Sequence, residues 1–174
     1  MKVLFRLCLL GSVAVLAAML LWSYPIILDG TGMDRVPEVM LFGYSAAEAR
    51  PFFETLTDAG RAQYLGGQAI LDWAFPALVA LTLILAVFRW GRRVPLPRRM
   101  LAVLLALGAM GVDYWENMLI VAALAMPADQ VTDAMLDQMS LATQGKTYFG
   151  IAAFLVTGGV ILGGLIRKRR RRRA

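Results

Sequence analysis

Asp72, Asp113 and Glu116 are the residues of this 174-residue chain best suited to chemistry, because each interrupts a long apolar stretch. A carboxylate near a bilayer centre costs about 2.5–3.5 kcal/mol on insertion scales. Acids kept at that cost face the interior of a helix bundle, pair with a partner, and mark proton, ion or substrate sites. Asp113, Glu116 and Asn117 are related by i, i+3 and i+4, which sets them on one helix face. That face continues through Ala109, Ala106 and Ala102, small residues that let a second helix come close. Gln68, Asp72, Pro76 and Val79 share a face by the same rule. Pro76 has no amide, so the Asp72 carbonyl loses its i+4 donor. A carboxylate, a free carbonyl and an amide side chain then converge on one turn. Lys146 is the only lysine near that level, and it can reach down along its alkyl stem.

Three acids with one or two cations leave charge that a proton or a bound ion must balance, so at least one is expected to carry a proton at neutral pH. Packing alone is the competing reading. Buried polar side chains hold helices in register through bonds worth about 1 kcal/mol each, and Asp72 with Lys146 or Glu116 with Arg61 would then be plain ion pairs. Tyr114 and Trp115 read as packing and anchoring residues rather than a ligand cage. In an enzyme, Asp72 or Glu116 would be the acid/base and Asn117 the orienting group. The chain has no His, which excludes bis-histidine haem, His-ligated zinc or copper, and Ser–His or Cys–His nucleophile pairs. Its one cysteine, Cys8, excludes an intramolecular disulfide and a dithiol couple, and it reads as a small core residue. No cofactor and no metal site is expected.

The elements that must position these residues are four apolar spans near 4–24, 67–88, 100–126 and 147–166, each long enough for a hydrocarbon core that takes about 20 helical residues. Charge between the spans alternates. Lys2 and Arg6, the five arginines from Arg89 to Arg99, and the run Arg167–Arg173 hold 14 of the 18 basic residues, with no acid among them. The loops Asp29–Asp58 and Asp129–Asp137 hold nine of the twelve acids. Short Arg-rich loops stay cytoplasmic, so both termini are expected inside. Abundant Arg and Ala suggest a GC-rich bacterium and therefore its inner membrane. The net charge of +6 lies at the inner face, where anionic lipid headgroups rather than nucleic acid are the partner. The first span could be a cleaved signal peptide. It is expected to stay, because its apolar run is long and ends in Trp22-Ser23-Tyr24, an interfacial anchor.

Ser45-Ala46-Ala47-Glu48 matches a capping box. It opens an amphipathic helix with Phe52, Phe53 and Leu56 on one side and Glu54 and Asp58 on the other, lying on the outer surface of the bundle or the headgroups. Pro51 falls late for a helix start and predicts a kink or a short first turn. Arg61, Gln63 and Tyr64 are expected in exposed first turns of the second span, and a further short surface helix in 127–143. The short Arg89–Arg99 connection makes spans two and three antiparallel neighbours. Gly159-x-x-x-Gly163 in the fourth span is a close-approach motif, within the bundle, to a second copy or to a membrane partner. The tail from Arg167 has no apolar position to pack and is expected to lie disordered against anionic lipid.

The run Gly43-Tyr44-Ser45, Gly60-Arg61, Tyr64, Asp72 and Phe75-Pro76, followed by Asp113-Tyr114-x-Glu116-Asn117, resembles a group of small bacterial four-span membrane proteins with no assigned activity. The resemblance covers Phe42 to Asn117 and implies a fold and a polar site, but no reaction. The expected fold is an all-α four-span bundle over 1–166 with a basic tail, 167–174. The expected role is a non-enzymatic accessory, assembly or lipid-contacting protein of the inner membrane. The alternatives are an enzyme acting on a lipid or isoprenoid-like substrate and a small proton- or cation-coupled transporter subunit. A hydrophobic groove opening to lipid beside Asp72 and Glu116 would favour lipid chemistry, a water-filled path transport, and a closed dry cluster packing.

Overall fold

The computed structural model describes residues 1–170. Four helices are long and apolar enough to cross a bilayer: α1 (Lys2–Leu28), α3 (Asp58–Arg93), α4 (Leu96–Leu124) and α5 (Asp133–Arg170). A shorter helix, α2 (Ala46–Thr55), joins the first two, and there is no strand among the described residues. Mean hydropathy over the most apolar windows is 1.2 to 2.3, yet at most 33% of any such window is buried inside the molecule. The remaining apolar surface needs lipid to cover it. The chain is an all-α, multi-pass membrane protein.

α1 packs chiefly along α3, whereas α3, α4 and α5 pack on one another, with α4 and α5 the most intimate pair. Small residues allow this: Ala102 and Ala106 of α4 and Ala153 of α5 are almost wholly buried. At the acidic end α2 and the loop before it close over the bundle. Ala49, Phe52 and Phe53 of α2 pack with Ile27, Val36, Tyr64, Ile120, Leu124, Leu136 and Met139 in one cluster. α2 is thus the lid of a small apolar cap and not a helix lying on headgroups. Its capping box forms as the sequence implies, and the helix continues through Pro51 to Thr55. The Arg61 guanidinium donates to the carbonyls of Leu124 and Met126, closing the α4 C-terminus in the way cations commonly do.

Several expectations need correction. Tyr64 is not in an exposed turn but 2% exposed beneath the cap. The segment expected to hold a separate surface helix is, from Asp133 on, the first turns of α5, preceded by a 3-10 turn at Ala128–Gln130. α5 also continues through Arg167–Arg170, where disorder was expected, and Arg171–Ala174 lie outside the described residues. Within the bundle the Gly159-x-x-x-Gly163 motif does not make the close approach, since a Cβ on Gly159 would meet nothing within 4 Å. The tight contact is at Gly164, where a Cβ would strike the Trp90 carbonyl. Only glycine lets α5 cross the α3–α4 turn there, and the Arg167 guanidinium adds a 2.6 Å bond to the Arg93 carbonyl.

Candidate functional site

Two π-helical turns face each other in the half of the bundle nearest the cap, Met19–Ser23 in α1 and Tyr64–Gln68 in α3. A π-turn adds one residue to the helical repeat and re-aims the side chains around it. The Gln63 amide bonds the buried Ser23 hydroxyl across the pair at 3.0 Å. Tyr64 and Gln68, at the two ends of the α3 turn, both point inward and are at most 2% exposed. Gln68 Nε2 donates to Asp72 Oδ1 at 2.7 Å. One turn on, Pro76 leaves the Asp72 carbonyl without its helical donor, and Asn117 Nδ2 of α4 supplies one at 3.0 Å. The free carbonyl legible at Asp72–Pro76 is therefore the point where α3 and α4 are pinned together.

The ion pairs differ from those expected. Lys146 of α5 pairs with Glu116, not with Asp72, and reaches Asp113 more loosely at 3.9 Å. Glu116 is fully buried and also accepts from the Thr143 hydroxyl. Arg61, considered as a partner for Glu116, is engaged by the α4 carbonyls. Tyr114 packs on Trp73, ring centres 4.7 Å apart, and donates to the Trp73 carbonyl at 2.9 Å, so it is a packing residue as anticipated.

Glu38 was missed by sequence reasoning. It lies in a short 3-10 turn, Pro37–Val39, of the loop between α1 and α2. This loop folds back under the cap, where Glu38 is 4% exposed and accepts from the Tyr64 hydroxyl. The loop is held by the Tyr44 amide bonding Ser140 Oγ at 2.9 Å. Gly43, at φ +91°, permits the turn before it, and any Cβ there would collide with Gln144. A hint existed in the sequence: Glu38 is a single acid among Val36, Val39, Met40, Leu41 and Phe42, within a loop otherwise made of turn residues.

These groups meet two adjacent spaces. The smaller, about 220 Å³, is lined by Glu38, Asp72, Asp113, Asn117, Lys146 and Tyr24, with apolar walls that include Met19, Leu41, Phe75 and Pro76. The larger, about 480 Å³, shares Leu41, Phe75, Pro76, Asp113 and Lys146 with it and runs along α3, α4 and α5. Its floor includes Ala106 and Ala109, its walls Val79 and Leu83, and Ile151, Phe154 and Leu155 stand exposed along it. Thus Asp72, Asp113, Asn117 and Lys146 reach the cavities, with Pro76 in their walls. Gln68 supports from behind, and Glu116 lines neither space. No cluster of His, Cys, Asp or Glu among the described residues is arranged to hold a metal ion. No protein-family model, curated protein or solved structure matches the chain.

Proposed function

We propose that this is a non-enzymatic, lipid-contacting protein of a bacterial inner membrane that holds one amphiphilic molecule, chain in the groove and polar head at the carboxyl cluster. The observation that carries the reading is an apolar groove of about 480 Å³ that shares Asp113, Lys146 and three apolar residues with a carboxyl-lined cavity at one end. That volume lies within the roughly 300–1,000 Å³ of small-molecule sites, which are mostly apolar with a few placed polar groups. The sides of the membrane follow from charge: the end carrying Arg89–Arg99 and Arg167–Arg170 lies in the cytoplasm, against anionic headgroups. The amphiphile then enters from the outer leaflet, where the cap and its acids lie.

Gly150→Phe tests this. Gly150 lines the groove, and a Cβ on it meets no atom within 4 Å, so the ring grows into empty groove. Exchanging a mid-helix glycine also removes a propensity cost of roughly 0.5 kcal/mol. The variant should be as heat-stable as the parent and co-purify with far less extractable lipid per mole of protein. Equal lipid on both would contradict the reading.

A second reading, an enzyme acting on a lipid, is favoured by one observation: Asp72 lines the cavity at the end of the groove. In that case Asp72 is the acid/base and Asn117 fixes it through its backbone. Glu116 does not serve, since Lys146 and Thr143 occupy it. Turnover separates the two: a lipid converted by the parent and left unconverted by Asp72→Asn would mark the enzyme, and a parent that binds lipid without converting it would leave the first reading standing.

A further inference from the structure

Four carboxyl groups converge beneath the cap, those of Glu38, Asp72, Asp113 and Glu116, and they come from three elements: the loop after α1, α3, and α4, which supplies the last two. Against them stands one ammonium, Lys146, taken up by Glu116 and within 3.9 Å of Asp113. Arg61 does not help, because it is engaged by the carbonyls of Leu124 and Met126. Glu38 and Asp72 therefore face one cavity without an ion pair among the described residues, the Lys146 that also lines it being held by Glu116. Their hydrogen bonding is also incomplete. Glu38 accepts from Tyr64 through Oε2, whereas its Oε1, buried in a side chain 4% exposed, meets no protein donor among the described residues. Asp72 receives the Gln68 amide on Oδ1 alone. Buried carboxylates of this kind call for a partner that brings both positive charge and N–H donors.

The groove specifies the rest of that partner. Its apolar walls end at the carboxyl cavity, so a group seated between Glu38 and Asp72 hangs from a chain lying along Phe75, Val79 and Leu83. We propose that the amphiphile this protein selects carries a primary ammonium head, received by Glu38 and Asp72. A primary ammonium has three donors and a compact charge. A hydroxyl supplies a donor without charge, a phosphate meets repulsion, and a quaternary ammonium brings charge without a donor. The inference rests on the amphiphile-binding reading and names the class of head.

The test uses full-length protein in a neutral detergent, with hexadecylamine, hexadecanol, hexadecyl phosphate and hexadecyltrimethylammonium as probes and binding read by native mass spectrometry. The amine should bind the parent at least about tenfold more tightly than each of the others, the worth of one charge-assisted hydrogen bond. In Glu38→Gln/Asp72→Asn, which keeps the shape and the acceptors for Tyr64 and Gln68, the amine should fall to the level of the alcohol while the alcohol is unchanged. A parent that binds alcohol, phosphate or quaternary probe as well as the amine overturns the proposal, as does a folded double variant that keeps the preference. If the double variant does not fold, the parent's own order of preference decides. Gly150→Phe tells the two readings apart. Loss of every probe in that variant, with no amine preference in the parent, leaves the groove reading standing and removes this one. No probe bound to the parent removes both.

Discussion

Residue by residue, the site is built of groups that are stable only in each other's company. Asn117→Ala removes the one donor to the Asp72 carbonyl and should cost about 1–3 kcal/mol, the penalty for a buried acceptor left bare. Pro76→Ala restores a backbone amide four residues on, so in that background the same change should cost less. A double-mutant cycle in detergent, followed by thermal unfolding, would measure the coupling, and additive effects would show that the bond is incidental. Lys146→Met strands the fully buried Glu116 and should destabilise by about 3–5 kcal/mol. Adding Glu116→Gln, which still accepts from Thr143, should recover most of it. Much of this was legible, because i, i+4 spacing and the missing amide of proline are local rules. The choice of Lys146 for Glu116, and the burial of Glu38, were not. Both depend on how a loop and a neighbouring helix fold over α3 and α4.

Among the elements, α2 offers a test that titration can read. The Ser45 amide and hydroxyl both reach the Glu48 carboxylate at 2.8 Å and hold it below the usual glutamate range, the backbone bond being the larger cause. A carboxyl whose folded value is depressed contributes stability above its unfolded value, near 4.3, and loses it as pH falls through the folded value. Amide exchange in α2 should therefore quicken below about pH 4 relative to α4, and Glu48→Gln should abolish the dependence. A pH-independent α2 would mean that the capping box does not hold the helix. The capping box was plain in the sequence as a four-residue pattern. The cap above the bundle was not, since Phe52 and Phe53 on one helix face fit lipid headgroups as well as a protein core. The partners that decide it, Leu136 and Met139, lie more than 80 residues away in a segment read as a separate surface helix. Helix lengths were underestimated for a related reason: hydropathy marks only the lipid-facing part of α3 and α5, whereas their first turns carry exposed polar residues, Asp58, Asp133 and Asp137, beside the few apolar ones that pack in the cap.

For the molecule as a whole, the charge map and the four spans were readable because lipid imposes one length and one composition on every helix. The groove was not, because it depends on how far α3, α4 and α5 stand apart. Orientation is testable in a Cys8→Ala background, with single cysteines at Asp133 and Arg93. The first should react with an impermeant reagent added outside intact cells and the second should not, and the reverse result would invert the map. The most direct test of the central claim is photo-crosslinking in bilayers with a lipid that carries a diazirine along its chain, followed by peptide mapping. If the groove holds a chain, adducts should concentrate on Val79, Gly150 and Phe154 and compete away with excess unlabelled lipid. If the groove is only surface, adducts should spread evenly over the exposed outer faces, at Leu10, Leu21 and Leu104 as much as at Phe154, and the account would be contradicted.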